Sequence, residues 1–587
     1  MSAIIGMSFV AAILILFWGL DRAIDLRDEG FSLLCTEHPA LCPHPSSFAF
    51  FLAKLPQLSP NLIISLRLHH VAMQLCSALL LFLGFKQWIS SYVRISSKGA
   101  LIAILICTLF SSLLCFSIFG ATLNYNGVTT FFIVGSEAFL FFGLADTIKV
   151  KWMMPLWMVL SGAFLGFGFF AKFSAGIVFY AVTLSTICFL SRSGRISKLV
   201  WHFCGFASAC AVFFIFLESW STWLSIFKTM VFDIELSGGG SHGAEKIFDT
   251  TILSLTRHRF EVLLVAFTLV CLVVGFTLLK KKVSKLPREQ IILIPTLVTA
   301  VLILCWLQRL VSMHVLHSSI VYWPVVFIGL SLLICSQLPS TLFAEVSSGN
   351  KVFFGLMVLA ITPLITSLGT DTPILWHALV DMAPLYLSLG YSSYIVGAEL
   401  STAAFTPVAL LLMTFVVTVQ FVYGYVFFHK EVAPLYLQNQ KLSMPSRFVG
   451  LRLEPLVANL IRDDFSILTS HGFVEGDPVL GLFDTPGLVY AVGGISPGFG
   501  WYGIDPANQP VNDYFLPRLQ TKNFERLFLI IKNRANSVEL DEHTRGLLRS
   551  AGIEYPRDFE FIGKSFQPYT YGGKTCHFFI RRRNIIP

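Results

Sequence analysis

Charge is what this sequence has least of. Lys, Arg, Asp and Glu make up 13% of its 587 residues, about half the share found in soluble globular proteins. So little charge, with so much apolar content, excludes a disordered chain, a coiled coil or a collagen-like repeat. No Cys-x-x-Cys or mixed Cys and His set has zinc spacing. The glycine-rich run Ser237–Gly243 is not followed by Gly-Lys-Ser or Gly-Lys-Thr, which excludes a Walker-type phosphate loop. No convincing internal repeat is visible, and the net charge of +8 is too thinly spread for a nucleic-acid partner. What is there is hydrophobic. Apolar and aromatic residues make up 55% of the chain, mean hydropathy is +0.72, and 56 residues are Phe. An apolar excess of this size has no home in a soluble protein and indicates an integral membrane protein.

The charges are unevenly placed. The 159 residues from His429 to Pro587 carry 34 of them, while the 428 residues before carry 42. Two parts follow: a membrane module over 1–428 and a C-terminal soluble domain over 429–587. Spanning a bilayer takes about 17–25 apolar residues. Segments that satisfy this are 3–20, 69–85, 99–119, 129–147, 153–170, 174–191, 199–217, 260–279, 290–308, 319–337, 352–368 and 406–428. Segment 3–20 has no basic n-region and no small-residue cleavage site, so it is expected to be a retained helix. The weaker stretch 377–397 contains Asp381, Pro384 and Gly390, which leaves the count at twelve or thirteen. Basic loops mark the cytoplasmic side. They are Lys86–Lys98, Lys149–Lys151, Arg192–Lys198 and Lys280–Arg288. The stretches 21–68, 120–128, 171–173, 218–259 and 309–318 then face outward. Twelve spans leave the tail inside and thirteen leave it outside.

The outer face holds the long loops, and the spans hold few charges, with Glu137, Asp146 and Lys172 the exceptions near their ends. Trp220 and Trp223 are expected in an interfacial aromatic belt. The first outer loop, 21–68, is the most informative. It opens Asp21-Arg-Ala-Ile-Asp25-Leu-Arg-Asp28-Glu29, with six charges in nine residues at a helix end. An apolar run from Ser46 to Leu55 is too short to span and predicts an interfacial, juxtamembrane helix. Cys35 and Cys42 lie in the same loop, where they form either a disulfide, if the compartment is oxidising, or two free thiols.

The order of these features resembles the GT-C glycosyltransferases, in particular the large bacterial branch similar to protein O-mannosyltransferases and lipid A aminoarabinose transferases. The elements that carry the resemblance are Asp28-Glu29, His44-Pro45 opening the juxtamembrane helix, and Ser65-Leu66-Arg67-Leu68 leading into helix 2. Next come Gly166-Phe-Gly-Phe-Phe-Ala-Lys172 at the outer end of helix 5 and Arg309 to His314 and His317, followed by Tyr322-Trp-Pro324. The match covers roughly the first 330 residues.

The resemblance implies a mostly α, polytopic GT-C-like helix bundle of twelve to thirteen spans, with a C-terminal soluble domain of α/β or α+β type. It implies transfer of a hexose or pentose from a polyprenyl-phosphate donor to a glycan, lipid or protein acceptor. The site would face the periplasm or cell exterior of a bacterial inner membrane. The acceptor hydroxyl needs a general base. Asp28 is the leading candidate, with Glu29 orienting it, and Asp21 and Asp25 are its rivals. The leaving lipid phosphate needs cations. Lys172, Arg309 and Arg67 are expected there, with His44, His314 and His317 as further substrate-binding candidates. One direct displacement inverts the anomeric carbon and needs no second carboxylate nucleophile. No cofactor is required by the sequence, a divalent cation is left open, and membrane lipid is a partner. In the tail, apolar runs begin at Pro478, Gly487 and Phe528, and helical stretches at Leu456 and Thr544. The run Gly493–Trp501 reads as a loop and lacks a nucleotide-binding register. The competing reading is a transporter or flippase of lipid-linked saccharides, which predicts repeats and interrupted helices.

Overall fold

A computed structural model describes residues 2–39, 46–118, 120–145, 152–191, 193–228, 346–369, 374–399, 405–427, 433–503, 509–519, 526–533, 539–566 and 574–582. The described part is mostly helical. Ten helices fill the first half: α1 Ser2–Gly19, α2 Asp28–Glu37, α3 Phe48–Leu52, α4 Leu62–Ile89, α5 Lys98–Ser112, α6 Tyr125–Leu144, α7 Met153–Ala171, α8 Phe173–Leu190, α9 Arg195–Phe216 and α10 Trp220–Phe227. Three more follow: α11 Val346–Thr366, α12 Ala383–Glu399 and α13 Phe405–Phe421, the last extended by a wider turn to Phe427. Among the described residues, nine helices are long and apolar enough to cross a membrane.

α4 runs ten residues longer than α1. Its 28 residues span about 42 Å, more than the hydrocarbon thickness of about 30 Å. The helix is capped by Asn61, whose side chain accepts from the Ile64 N–H at 3.2 Å. Arg67 lies in its second turn.

Packing shows where the tail lies relative to the first loop, a relation that hydropathy leaves undecided. The turn Ala378–Asp381 packs against Leu113–Ser117 at the outer end of α5. At the far end of α12 the Tyr394 hydroxyl accepts from the Ser96 N–H at 3.0 Å, in the inner loop. α12 therefore traverses the bundle. α13 returns, bonding Ser393 at its start through Thr406 (3.1 Å) and Leu16 beyond its end through Tyr425 (3.3 Å). α12 falls short of a clear hydropathy signal because protein rather than lipid surrounds it. Residues 383–396 are buried, and a Cβ on Gly390 would lie 2.8 Å from Ile104 of α5.

The tail thus emerges on the side of the first outer loop and packs directly on it. Its four-stranded sheet has the order β3-β4-β6-β5, from β3 Val479–Leu482, β4 Phe528–Asn533, β5 Phe559–Phe566 and β6 Thr575–Arg581. β3 and β4 are parallel, and the other pairs are antiparallel. A short ribbon, β1 Gln440–Lys441 with β2 Arg452–Leu453, precedes it. The helices of this part are α14 Pro455–Thr469, α15 Pro486–Ala491, α16 Gln509–Phe515 and α17 Glu542–Ser550. The apolar run from Gly487 lies in helix α15 rather than in a strand, because Pro486 sets its first turn.

One apolar core is continuous from the first outer loop, with Ile24, Leu33, Phe48 and Leu66, into the sheet domain, with Leu453, Leu480 and Leu488. Backbone bonds stitch the seam: Arg452 N–H to Asp21 O at 2.6 Å, Ala23 N–H to Arg452 O at 3.0 Å, and Gly487 N–H to Leu26 O at 3.0 Å. A Cβ on Gly30 would lie 2.3 Å from the Gly487 Cα, so the contact admits glycine alone. A cysteine introduced at exposed Ser470 is expected to react with an impermeant maleimide in right-side-out vesicles before lysis. Labelling only in inverted vesicles would refute this topology.

Candidate functional site

The first outer loop is held by one arginine. Arg67 is 1% exposed, and its guanidinium donates to the carbonyls of Leu20 (2.9 Å), Arg22 (2.7 Å) and Ala23 (2.8 Å). It also donates to Glu29 Oε1 at 2.9 Å and to Thr122 Oγ1 at 3.3 Å. Ala23 has a left-handed backbone, φ 61°, costing an L-residue about 1–2 kcal/mol. Its carbonyl and N–H are both anchored, which holds it there. Arg67 therefore builds the loop. Its donors face carbonyls, a hydroxyl and a carboxylate of this loop and its neighbour.

Glu29 is the other half of this arrangement. It is buried, receives a hydrogen bond from Thr122, and its Oε2 accepts from the Asp25 N–H at 2.9 Å. Burial pushes its carboxyl up, but Arg67, Thr122 and that N–H together hold it below the usual carboxylate range. Asp25 answers in kind. Its side chain accepts from the N–H groups of Arg27 (2.8 Å) and Asp28 (3.3 Å), closing the turn that leads into α2. Asp21 pairs with Arg452 at 3.0 Å. Both rival bases thus carry structural contacts. Asp28 is the first residue of α2 and is exposed.

The loop before α6 links this cluster to Lys172. Thr122 touches Glu29, and the Ala121 carbonyl bonds His70 Nδ1 at 3.1 Å. Asn124 caps α6, and Asn126 receives the Lys172 ammonium at 3.4 Å. Lys172 sits at the junction of α7 and α8, outside both spans, and is 5% exposed. Its other contacts are the Thr366 carbonyl at 2.8 Å and the Tyr125 ring, 5.7 Å from its centroid. Among the described residues no carboxylate pairs with it. Burial alone pushes its ammonium down to about 7.

The juxtamembrane helix α3 closes the neighbouring side. The Ser47 N–H donates to the Phe170 carbonyl at 3.0 Å, and Ser46 donates to that of Ala171. Phe51 packs among Phe132, Phe167 and Phe213 at 5.4–6.0 Å. Trp223 joins this aromatic cluster through Phe170 and is 8% exposed, so it is a packing residue rather than part of an interfacial belt. Glu137 lies well inside α6, fully buried, accepting from Thr362 at 3.1 Å rather than sitting near a span end.

Arg309, His314, His317, His44 and Cys42 lie outside the described residues, as does the run Ser237–Gly243. Cys35 is disulfide-bonded. Among the described residues no three His, Cys, Asp or Glu side chains gather as a metal-ligand set. Sequence reasoning missed Thr122, Asn126 and Thr366. The only available signal was the pair Asn124 and Asn126 at a helix start facing outward.

Comparison with solved structures finds similarity to the crystal structure of ArnT from Cupriavidus metallidurans bound to undecaprenyl phosphate. The TM-score is 0.44 at 11% identity, over 98% of each chain. The apo state of the same protein gives a TM-score of 0.34 at 11% identity, over 97% of each chain. No family model and no curated protein matches the chain.

Proposed function

We propose that this chain is a membrane glycosyltransferase of the GT-C type, acting at the extracytoplasmic face of a bacterial inner membrane. It moves a sugar from a polyprenyl-phosphate donor to an acceptor hydroxyl on a glycan, lipid or protein, with inversion. One observation carries this reading. Lys172 is a buried cation without a carboxylate partner among the described residues, and residues 122–126 link it to Glu29, the neighbour of Asp28 in sequence. Burying an uncompensated ammonium is unfavourable unless an anion completes the site. A lipid phosphate whose tail stays in the bilayer is such an anion.

In this reaction Asp28 takes the acceptor proton as the acceptor oxygen attacks the anomeric carbon. The bond from that carbon to the phosphate oxygen breaks, and polyprenyl phosphate leaves with the electron pair. Lys172, with Arg309, meets the charge that grows on the phosphate. Glu29 and Arg67 act by positioning the loop that carries Asp28. His44, His314 and His317 remain substrate-binding candidates. The membrane module 1–428 holds the donor, and 429–587 covers the outer side. The scheme requires no cofactor.

The test is turnover of labelled polyprenyl-phosphate sugars by the purified chain in nanodiscs, with an envelope extract as acceptor. Absence of turnover across hexose and pentose donors would sink the reading. The pH profile gives a second check. A polyprenyl-phosphate sugar is a diester and stays anionic, so the alkaline limb belongs to Lys172. Its ammonium predominates below about 7 and its amine above. The donor kcat/KM is expected to fall as pH rises through that value, approaching about tenfold per pH unit. Lys172→Arg, whose guanidinium stays charged, is expected to remove the limb. A wild-type profile that stays flat from neutral to alkaline pH would count against Lys172.

A further inference from the structure

The C-terminal domain brings a second set of polar and aromatic groups to the start of α2, and the scheme above uses none of them. β3 ends at Leu482, and the next two residues, Phe483 and Asp484, both take left-handed backbones, φ 68° and 62°. Neither is glycine. Consecutive residues of this kind persist only when their surroundings hold them, and they gather at ligand sites. Here the surroundings are visible. The Asp484 N–H donates to the Tyr502 carbonyl at 2.9 Å. The Lys532 ammonium donates to the Asp484 carbonyl at 3.1 Å, and the Trp501 indole N–H donates to Asp484 Oδ1 at 2.9 Å.

These groups stand where an open sheet places ligands. β3 and β4 are parallel, with Leu482 beside Ile531. Asp484 follows the carboxyl end of one strand and Lys532 lies at the carboxyl end of the other, where such crevices form. Trp501 comes from the Gly493–Trp501 loop. It is half-buried, with its ring edge-on to Phe31 of α2 at 5.5 Å. Phe31 is three residues from Asp28 and four from Arg27, so these three share a helix face. Trp501 therefore lies along the face that starts with Asp28.

We propose that Trp501, Asp484 and Lys532 form an acceptor-saccharide subsite that seats a pyranose ring beside Asp28. The indole face is electron-rich and suits the C–H face of a pyranose. The carboxylate accepts hydrogen bonds from sugar hydroxyls, and the buried ammonium fixes the strained turn that presents it. The domain lies outside the lipid, where a glycan approaches, whereas the donor phosphate is tied to the bilayer. This subsite rests on the transferase reading for its role as an acceptor site.

The test is saturation-transfer NMR on the full chain in nanodiscs, with maltotriose, cellotriose, chitotriose and mannotriose as probes. At least one is expected to bind. Trp501→Ala is expected to abolish that binding, Asp484→Asn to weaken it about tenfold, and Trp501→Phe to retain part of it. If Trp501→Ala unfolds, the other two variants decide the matter. Absence of binding to any probe by wild type, or wild-type binding by the variants, overturns the subsite. Donor turnover by wild type is measured in parallel. Turnover without saccharide binding removes the subsite and leaves the transferase reading. Trp501-dependent binding without turnover keeps the saccharide site and removes that reading.

Discussion

Replacing Asp28 with Asn is expected to lower sugar transfer by about 10²–10⁴-fold, the range a positioned general base supplies. The substitution keeps size and hydrogen bonding and removes basicity, so the loss should fall on kcat. The neighbouring carboxylates make the test selective. The Asp25 side chain accepts from the N–H groups of Arg27 and Asp28, and an asparagine oxygen can accept the same bonds in such a turn. Asp25→Asn is therefore expected to cost far less. Asp21 pairs with Arg452 across the domain seam, and Asp21→Asn should loosen that seam slightly. Full transfer by Asp28→Asn would remove Asp28 from the reaction, and a collapse confined to Asp25→Asn would move the base to that residue.

Arg67→Gln is expected to destabilise the fold by about 3–5 kcal/mol, the cost of stranding one partner of a buried ion pair. Three carbonyls lose their donor, and the left-handed Ala23 loses one of its two anchors. Glu29 suffers most. In the wild type its carboxyl is held low, so its contribution is present above the usual carboxylate range and is lost as pH falls through the lowered folded value. Without Arg67, burial dominates and drives the carboxyl toward its neutral form. The double variant Glu29→Gln with Arg67→Gln should recover part of the loss, since no buried charge is then left alone. Size-exclusion chromatography after graded heating measures both. Wild-type thermal resistance in Arg67→Gln would show that this network is not what holds the loop.

Much of this molecule is legible without coordinates. Apolar runs locate the spans found among the described residues, because hydropathy is a local property of the chain, while the runs 260–279, 290–308 and 319–337 lie outside those residues. The charged collar after the first span marks the loop that matters, and Lys172 stands out as a charge among aromatic residues. The roles within that collar are not legible. Asp21, Asp25, Asp28 and Glu29 look alike as residues, and only their partners distinguish a cap, a clamp and a displayed carboxylate.

The sequence by itself determined a membrane bundle with a polar C-terminal part. Tertiary structure alone decided that Arg67 is a clamp, that α12 crosses the bundle, and that the tail closes over the first loop. Arg67 meets residues 20, 22, 23, 29 and 122, and Gly487 meets Gly30. These contacts bridge from about forty to over four hundred residues of sequence. Burial and pairing at that range depend on which surfaces meet, and a pattern read along the chain holds no record of them.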